Sequence, residues 1–239
     1  MSLFEAFYAG GLYTQKNPGL NDGESARKAD AFLQLARKCN LDLAHIASVI
    51  DVGCGAGGFL AGLIRQAPHL NRVTGIDLNP DAIEIANGRN LDGVDYLNCS
   101  LSEVEGEYDL ATLVHVLEHI PEWENFLSLL ANKAKIIYIG VPIEASVWMT
   151  LRKGVLVNQY LKYGHIHFFN EEFLTKMLND LGFEIIGTGY SDEFLSFDSF
   201  SAKLIKIPRL ILGMFSRKWA CNLLGGYCYQ VLCRPISSK

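Results

Sequence analysis

The stretch "VIDVGCGAGG", residues 49–58, decides the fold. A short β-branched apolar run passes into a cluster of glycines, and "FLAGLIRQA" follows as a helix closed by Pro68. Gly53-x-Gly55-x-x-Gly58 permits a tight turn and close approach of backbone to a ligand, a spacing that serves many cofactors. Two carboxylates narrow the choice. Asp51 stands inside the strand, two residues before Gly53, where it would repel the pyrophosphate of a dinucleotide and welcome a cationic ligand. Asp77 ends the next strand, "RVTGIDL", where an acid accepts both hydroxyls of a ribose. A nicotinamide-dependent dehydrogenase therefore fits least well.

Outward from this unit, strands and helices alternate. Upstream, Ala26, Ala29, Phe32, Leu33 and Ala36 recur at helical spacing and predict a helix over about 24–39. Downstream, "NPDAIEIANGRN" is a helix with Asn79 as N-cap and Pro80 at its first position. "VDYLNC", "YDLATLV" and "KIIYIGVP" are strands. "PEWENFLSLLANKA" and "NEEFLTKMLNDLGF" are helices, the second capped by Asn170 and ended near Gly182. "EIIGTGY" and "YCYQVLCR" are the last strands. The alternation predicts a doubly wound α/β sheet. Residues 143–164 and 191–225 break it and follow strand ends, so both are expected to form lid elements over the crevice. Residues 1–45 are expected to be an N-terminal arm and helix, and 46–239 the main domain.

The chain has 239 residues, 49% of them apolar, enough for a sizeable core. The net charge of −5 argues against a general nucleic-acid binder. Six cysteines (39, 54, 99, 221, 228, 233) show no C-x-x-C spacing, and no secretory signal precedes them. Reduced thiols in a cytoplasmic protein are expected. No apolar run is long enough to span a bilayer.

"VIDVGCGAGG", "VTGIDLNP", "YDLATLVHVLEHI", "KIIYIGVP" and "GHIHFFNEEFLTKMLNDLGFEI" resemble the successive motifs of class I S-adenosylmethionine-dependent methyltransferases over about residues 46–190. The resemblance implies a Rossmann-like seven-stranded sheet whose last strand is antiparallel. It implies S-adenosyl-L-methionine as cofactor, with S-adenosyl-L-homocysteine as product. Carried over, Asp51, Gly53 and Gly55 line the methionine end, with Cys54 packed beneath. Asp77 binds the ribose and Leu78 packs on adenine. The loop after the third strand often offers an acid to the adenine amino group. Here Cys99, Ser100 and Leu101 stand there, so Ser100 or a backbone group would substitute.

Methyl transfer needs an aligned nucleophile and, for a hydroxyl, a base. "HVLEH" places His115, Glu118 and His119 after the fourth strand, with the two histidines predicted to share a helical face. "GHIHFF" adds His165 and His167. Three readings stay open. His115 contacts cofactor or substrate while His165 or His167 is the base. Or His115, Glu118 and His119 bind a metal, in place of the Glu-x-x-Glu-His motif of the ubiquinone-pathway O-methyltransferases that the chain resembles here. Or His119 fixes a turn and the second pair is structural. The adopted reading has no metal. Glu144 is either a polar group at the site or a solvated loop carboxylate.

The segment "SAKLIKIPRLILGMFSRKWACNLLGG" mixes large apolar and basic residues, and Pro208 and Gly213 are expected to interrupt any single helix. Residues 203–220 could rest on an anionic membrane or shape a site for a lipid-linked or acidic substrate; the alternative is a lid or dimer contact. The function that emerges is O-methylation of a small-molecule, glycan or lipid-linked acceptor. The alternatives are a cofactor-binding module without catalysis and an RNA-modifying methyltransferase. The chain lacks the Asn/Asp-Pro-Pro-aromatic signature of amino methylation, which disfavours RNA.

Overall fold

The structure, a computed structural model, describes residues 7–8, 10–17, 22–196 and 200–236. Seven strands form one sheet in the order β3-β2-β1-β4-β5-β7-β6. They are β1 (Ser48–Val52), β2 (Arg72–Ile76), β3 (Val94–Leu97), β4 (Tyr108–Val114), β5 (Ala134–Pro142), β6 (Phe183–Ser191) and β7 (Cys228–Pro235). β7 alone runs against its neighbours, pairing antiparallel with both β5 and β6. The doubly wound sheet and its reversed last strand are therefore both present.

The strands read as continuous apolar runs because both faces are covered. Val49, Leu110, Tyr138 and Leu232 enter one core with Phe32, Phe59 and Leu60. Their chain neighbours Ile50, Ala111, Ile137 and Val231 enter the other, with Trp123, Leu127, Leu174 and Leu178. Helix α1 is Leu12–Lys16, and α2 (Ser25–Lys38) and α3 (Gly58–Gln66) cover the first face. After α4 (Pro80–Asn87), α5 (Trp123–Ala131) and α8 (Glu171–Asp180) cover the second. The predicted caps form: Asn79 accepts from the Asp81 amide at 3.0 Å and Asn170 from the Phe173 amide at 2.8 Å.

Residues 143–164 carry α6 (Val147–Leu151) and α7 (Val155–Tyr163). Residues 191–225 carry a 3-10 turn (Glu193–Ser196), α9 (Phe200–Phe215) and α10 (Arg217–Leu224). Here the expectation fails. One helix of 16 residues runs through Pro208 and past Gly213. Proline in a helix interior costs about 3 kcal/mol. Tertiary anchors at the next residue offset it: the Tyr227 hydroxyl donates to the Arg209 carbonyl at 3.0 Å, and Arg209 Nη2 donates to the Leu224 carbonyl at 2.9 Å. The break comes at Ser216, whose side chain caps α10.

Candidate active site

The carboxyl ends of β1, β2, β4 and β5 open into a cavity of about 860 Å³. At one end lies the glycine turn. Gly53, Gly55 and Gly57 all have positive φ, which L side chains adopt at a cost. The turn's amides are already engaged. Those of Gly53 and Cys54 donate to the Ile76 carbonyl at 2.8 and 3.0 Å, that of Gly55 to Asp77 Oδ2 at 2.9 Å, and that of Gly57 to the Cys54 carbonyl at 3.0 Å. These four offer no cradle for a pyrophosphate, which needs free N–H groups.

What the turn offers is acid and space. Asp51 is buried, and its Oδ1 accepts from the Thr112 hydroxyl at 2.6 Å. Burial pushes its carboxyl up to about 7, against the pull of that hydrogen bond. Burial also raises Asp77, opposed by the amides of Asn79, Gly55 and Leu78. A Cβ built on Gly55 meets nothing within 4 Å. Two carboxylates that burial biases against ionisation, beside an open cradle, fit a ligand that brings positive charge and hydroxyl donors. S-adenosylmethionine has both. Leu78, Cys99, Ser100 and Leu101 continue the wall. Ser100 is occupied: its amide and hydroxyl both bond Glu103 Oε2 at 2.7 Å, capping the turn Leu101–Glu103. Burial raises the Cys54 thiol well above its ordinary value, so it packs and is no nucleophile.

The histidines are arranged differently from the sequence expectation. His115 is not helical and shares no helical face with His119. It adopts φ +61°, and its amide donates to the Gly140 carbonyl at 2.8 Å. The left-handed region costs a non-glycine residue about 1–2 kcal/mol. Its Nε2 meets Glu193 Oε1 at 2.6 Å. Burial would raise Glu193, but the charge and hydrogen bond of His115 hold it below the ordinary range.

His165 is buried, with Nδ1 2.7 Å from Glu144 Oε2. Burial opposes its protonation, yet the hydrogen bond and charge of Glu144, then the charge of Glu118, leave its pKa raised. Glu144 is thus no solvated loop carboxylate; it is buried and also accepts from Gln159. His167 does not line the cavity. Its Nε2 lies 2.9 Å from the Ile120 carbonyl, a structural tie. His119 is held neutral, its pKa lowered to about 3 by burial first and His165 next. Its Nδ1 lies 3.2 Å from the Gly164 carbonyl, a tie to the segment that carries His165.

In the proposed trio, Glu118 Oε1 lies 3.5 Å from His115 Nδ1 and 4.0 Å from His119 Nε2. His115 joins Glu193 and Cys228, while donor atoms of Glu118, His119 and His165 lie within 4.8 Å of one another. Both Glu118 carboxylate oxygens are buried without a hydrogen-bond partner. Of the two sets, Glu118, His119 and His165 is the one with a carboxylate that makes no hydrogen bond, and so the better able to hold a divalent ion.

Three chain segments roof the cavity. The N-terminal arm straps the crevice. Thr14 accepts from Asn79 at 2.8 Å at the glycine end, and the Tyr8 hydroxyl donates to the Tyr163 carbonyl at 3.0 Å at the other. Lys16 and Asn17 also bond α7 carbonyls, at 2.6 and 3.1 Å. Tyr8, Tyr13, Thr112, Gln159, Glu193 and Arg209 belong to the site or support it, and sequence reading missed them all. Arg209 alone carried a usable signal. On one unbroken helix it sits four residues after Ile205, which is buried, and three before Leu212, which packs on the core.

Residues 22–188 match a family model described as a methyltransferase domain. Over 94 residues the chain is 35% identical to the mitochondrial ubiquinone biosynthesis O-methyltransferase of Saccharomyces cerevisiae, covering 37% of this chain and 30% of that one. It is 35% identical over 95 residues to the ubiquinone biosynthesis O-methyltransferase of Hydrogenovibrio crunogenus, covering 37% and 38%. The matched part thus spans under two-fifths of these relatives. Among solved structures, magnesium protoporphyrin IX methyltransferase from Synechocystis with bound SAH (S-adenosylhomocysteine) superimposes with a TM-score of 0.58 at 18% identity, over 88% of this chain and 82% of that one. At that identity the likeness is one of fold.

Proposed function

The chain belongs to the methyltransferase-domain family, and we propose that it methylates an oxygen of a small-molecule, glycan or lipid-linked acceptor, with S-adenosylmethionine as donor. The observation that carries this reading is one cavity lined by two distinct sets of groups. The Asp51–Asp77 glycine turn lines it from the ends of β1 and β2, and the buried Glu144–His165 pair lines it beyond β5, on the other side of β4 in the sheet order. Asp51, Gly53, Gly55, Asp77, Leu78 and Leu101 would hold the donor, with Asp77 taking the ribose hydroxyls. When bound, the donor supplies a methyl carbon on a sulfonium and leaves as a neutral thioether. His165 gives Nδ1–H to Glu144, which fixes the tautomer and leaves Nε2 to accept the acceptor's proton. His115, in its strained conformation beside Glu193, would position donor and acceptor together. The arm and α7 would exclude water, and alignment supplies about 7–11 kcal/mol of the barrier.

One observation favours a second reading. The unsatisfied Glu118 carboxylate beside His119 and His165 suits zinc or a similar ion, which when bound would acidify the acceptor hydroxyl as a Lewis acid. Metal content of the purified protein separates the two. A stoichiometric ion lost in Glu118→Gln makes His165 a ligand; its absence leaves His165 the base.

An amphiphilic acceptor suits the outer surface. Leu151 in the first insertion and Met214 and Phe215 in the second are 79%, 86% and 85% exposed. The positive field there is smaller than the sequence count. Arg209 is buried, Arg217 pairs with Asp192 at 3.0 Å, and Lys218 pairs with Glu171 at 2.7 Å. Peripheral membrane contact would therefore rest mainly on apolar area. Among the described residues no helix is long and apolar enough to cross a membrane. The test of function is transfer of labelled methyl from S-adenosylmethionine into separated small-molecule, lipid, glycan, RNA and protein fractions, with SAH binding measured alongside. Label in the small-molecule, lipid or glycan fraction supports the reading. SAH binding with no label in any fraction favours the non-catalytic module.

A further inference from the structure

Arg209 is the exception in a basic segment that otherwise lies on the surface. It is 3% exposed and lines the same cavity as Met149, His165, Gly226 and Tyr227. Its place is built. Gly226 has φ +81°, and a Cβ there would come within 2.7 Å of the Arg209 guanidinium carbon, so a glycine leaves the room. The guanidinium lies over the Phe194 ring, 5.5 Å from its centroid. Nη2 is held by the Leu224 carbonyl at 2.9 Å.

A counter-charge is what the site lacks. Nε is buried with no hydrogen-bond partner. Glu144 and Glu193, which line the same cavity, are each bound to a histidine, at 2.7 and 2.6 Å. Among the described residues no carboxylate pairs with Arg209. Burial first and the repulsion of Arg152 second pull its pKa down to about 10, so it stays charged at neutral pH beside another cation. Buried charges are costly unless paired, and the cavity is the side from which a partner can come.

We propose that Arg209 receives an oxyanion of the methyl acceptor, a carboxylate or phosphate carried on the same molecule as the hydroxyl that is methylated. This rests on the methyltransferase reading and narrows its substrate class. The planar guanidinium matches both anions, and Arg152 adds long-range attraction. The pairing also gives a reason for a basic residue on the inward face of a helix that is otherwise apolar there.

The test uses the full chain saturated with SAH, and three probes: benzoate, phenyl phosphate and benzamide. Affinities come from titration of isotope-labelled protein, following the Arg209 Nε resonance, identified by its loss in Arg209→Lys. One or both anionic probes should bind roughly 10- to 100-fold tighter than benzamide and move that resonance. Arg209→Gln should bring all three within about twofold; Arg209→Lys should keep part of the preference. Tighter benzoate assigns a carboxylate, tighter phenyl phosphate a phosphate. Equal affinities in the wild type, an unmoved resonance, or a preference that survives in Arg209→Gln each overturn the proposal. If Arg209→Gln no longer binds SAH, the wild-type comparison and Arg209→Lys decide. Failure of the wild type itself to bind SAH overturns the methyltransferase reading, whatever the anions do.

Discussion

Gly53, Gly55 and Gly57 share one backbone property and differ in what surrounds them, so one substitution should give contrasting results. All three have positive φ, at +71°, +54° and +75°. Alanine there costs about 1–2 kcal/mol from backbone strain alone. At Gly53 the new Cβ would also sit 2.6 Å from Val116 Cγ2, and at Gly57 2.5 Å from the Tyr96 hydroxyl. Val116 and Tyr96 are buried, so neither yields freely. Overpacking of that kind adds about 1–3 kcal/mol. Gly53→Ala and Gly57→Ala should therefore lose roughly 2–5 kcal/mol, a large part of the roughly 5–15 kcal/mol that holds a typical domain. At Gly55 a Cβ meets no atom within 4 Å. Gly55→Ala should lose only the strain, roughly 1–2 kcal/mol, while its methyl takes space from the donor. SAH affinity should fall about tenfold or more. Urea unfolding gives the stabilities and calorimetric titration with SAH the affinities. Wild-type SAH affinity in Gly55→Ala, or a stability loss there equal to that of Gly53→Ala, would refute the assignment of Gly55 to the donor cradle.

Asp51 has a pH signature. A carboxyl raised to about 7 stabilises the fold below its unfolded pKa, and that contribution is lost as pH rises through about 7. Between about pH 4 and pH 7 this contribution falls while that of His119, lowered to about 3, rises; Asp51→Asn removes only the falling one, so its urea midpoints should climb more steeply with pH than those of ligand-free wild type, and an identical slope counts against the burial argument. His165→Ala should lower kcat on the order of 10²- to 10⁴-fold with SAH affinity within about twofold, whereas His167→Ala should leave kcat nearly intact; equal losses would sink the assignment of the base. Serine at Leu151, Met214 and Phe215 together should reduce sedimentation with anionic vesicles, and a wild type that stays in the supernatant removes the membrane reading.

The half of this site proposed to hold the donor was legible because it is local. Asp51, Gly53, Gly55 and Asp77 lie on two consecutive strand ends, and strand pairing sets Asp51 opposite Gly75. Short-range pattern and register carry that information. The acceptor half is assembled over long range. His165 meets Glu144 across 21 residues, His115 meets Glu193 across 78, and Tyr8 reaches Tyr163 across 155. No periodicity encodes such contacts, which depend on how the insertions fold back over the sheet. Arg209 was lost for a different reason. Pro208 was read as a break, and with the helix divided there the inward face that Arg209 shares with Ile205 and Leu212 disappears. Proline penalties are set by local backbone, while the anchors that overcame this one come from Tyr227 and Leu224, beyond the segment.

The unsatisfied groups carry a common consequence. Among the described residues, the buried side-chain polar atoms without a partner are the two Glu118 oxygens and Arg209 Nε. Three other carboxyl groups around the cavity have partners within the chain: Asp51 in Thr112, Glu144 in His165 and Glu193 in His115. An unpaired buried charge costs the fold stability. A ligand that pairs with it returns that stability through binding, which favours the native state alone. Arg209, with no counter-charge among the described residues, and Glu118, which makes no hydrogen bond and has the His115 ring at 3.5 Å, are thus places where the free protein is under-stabilised and a correct ligand should raise the melting temperature more than its contact area suggests. Cation and anion should act independently if they occupy separate sites, each effect vanishing only in the variant of its own residue. A single ligand whose effect vanished in both Glu118→Gln and Arg209→Gln would instead place both groups on one molecule, with a cationic part toward Glu118 and an anionic part toward Arg209.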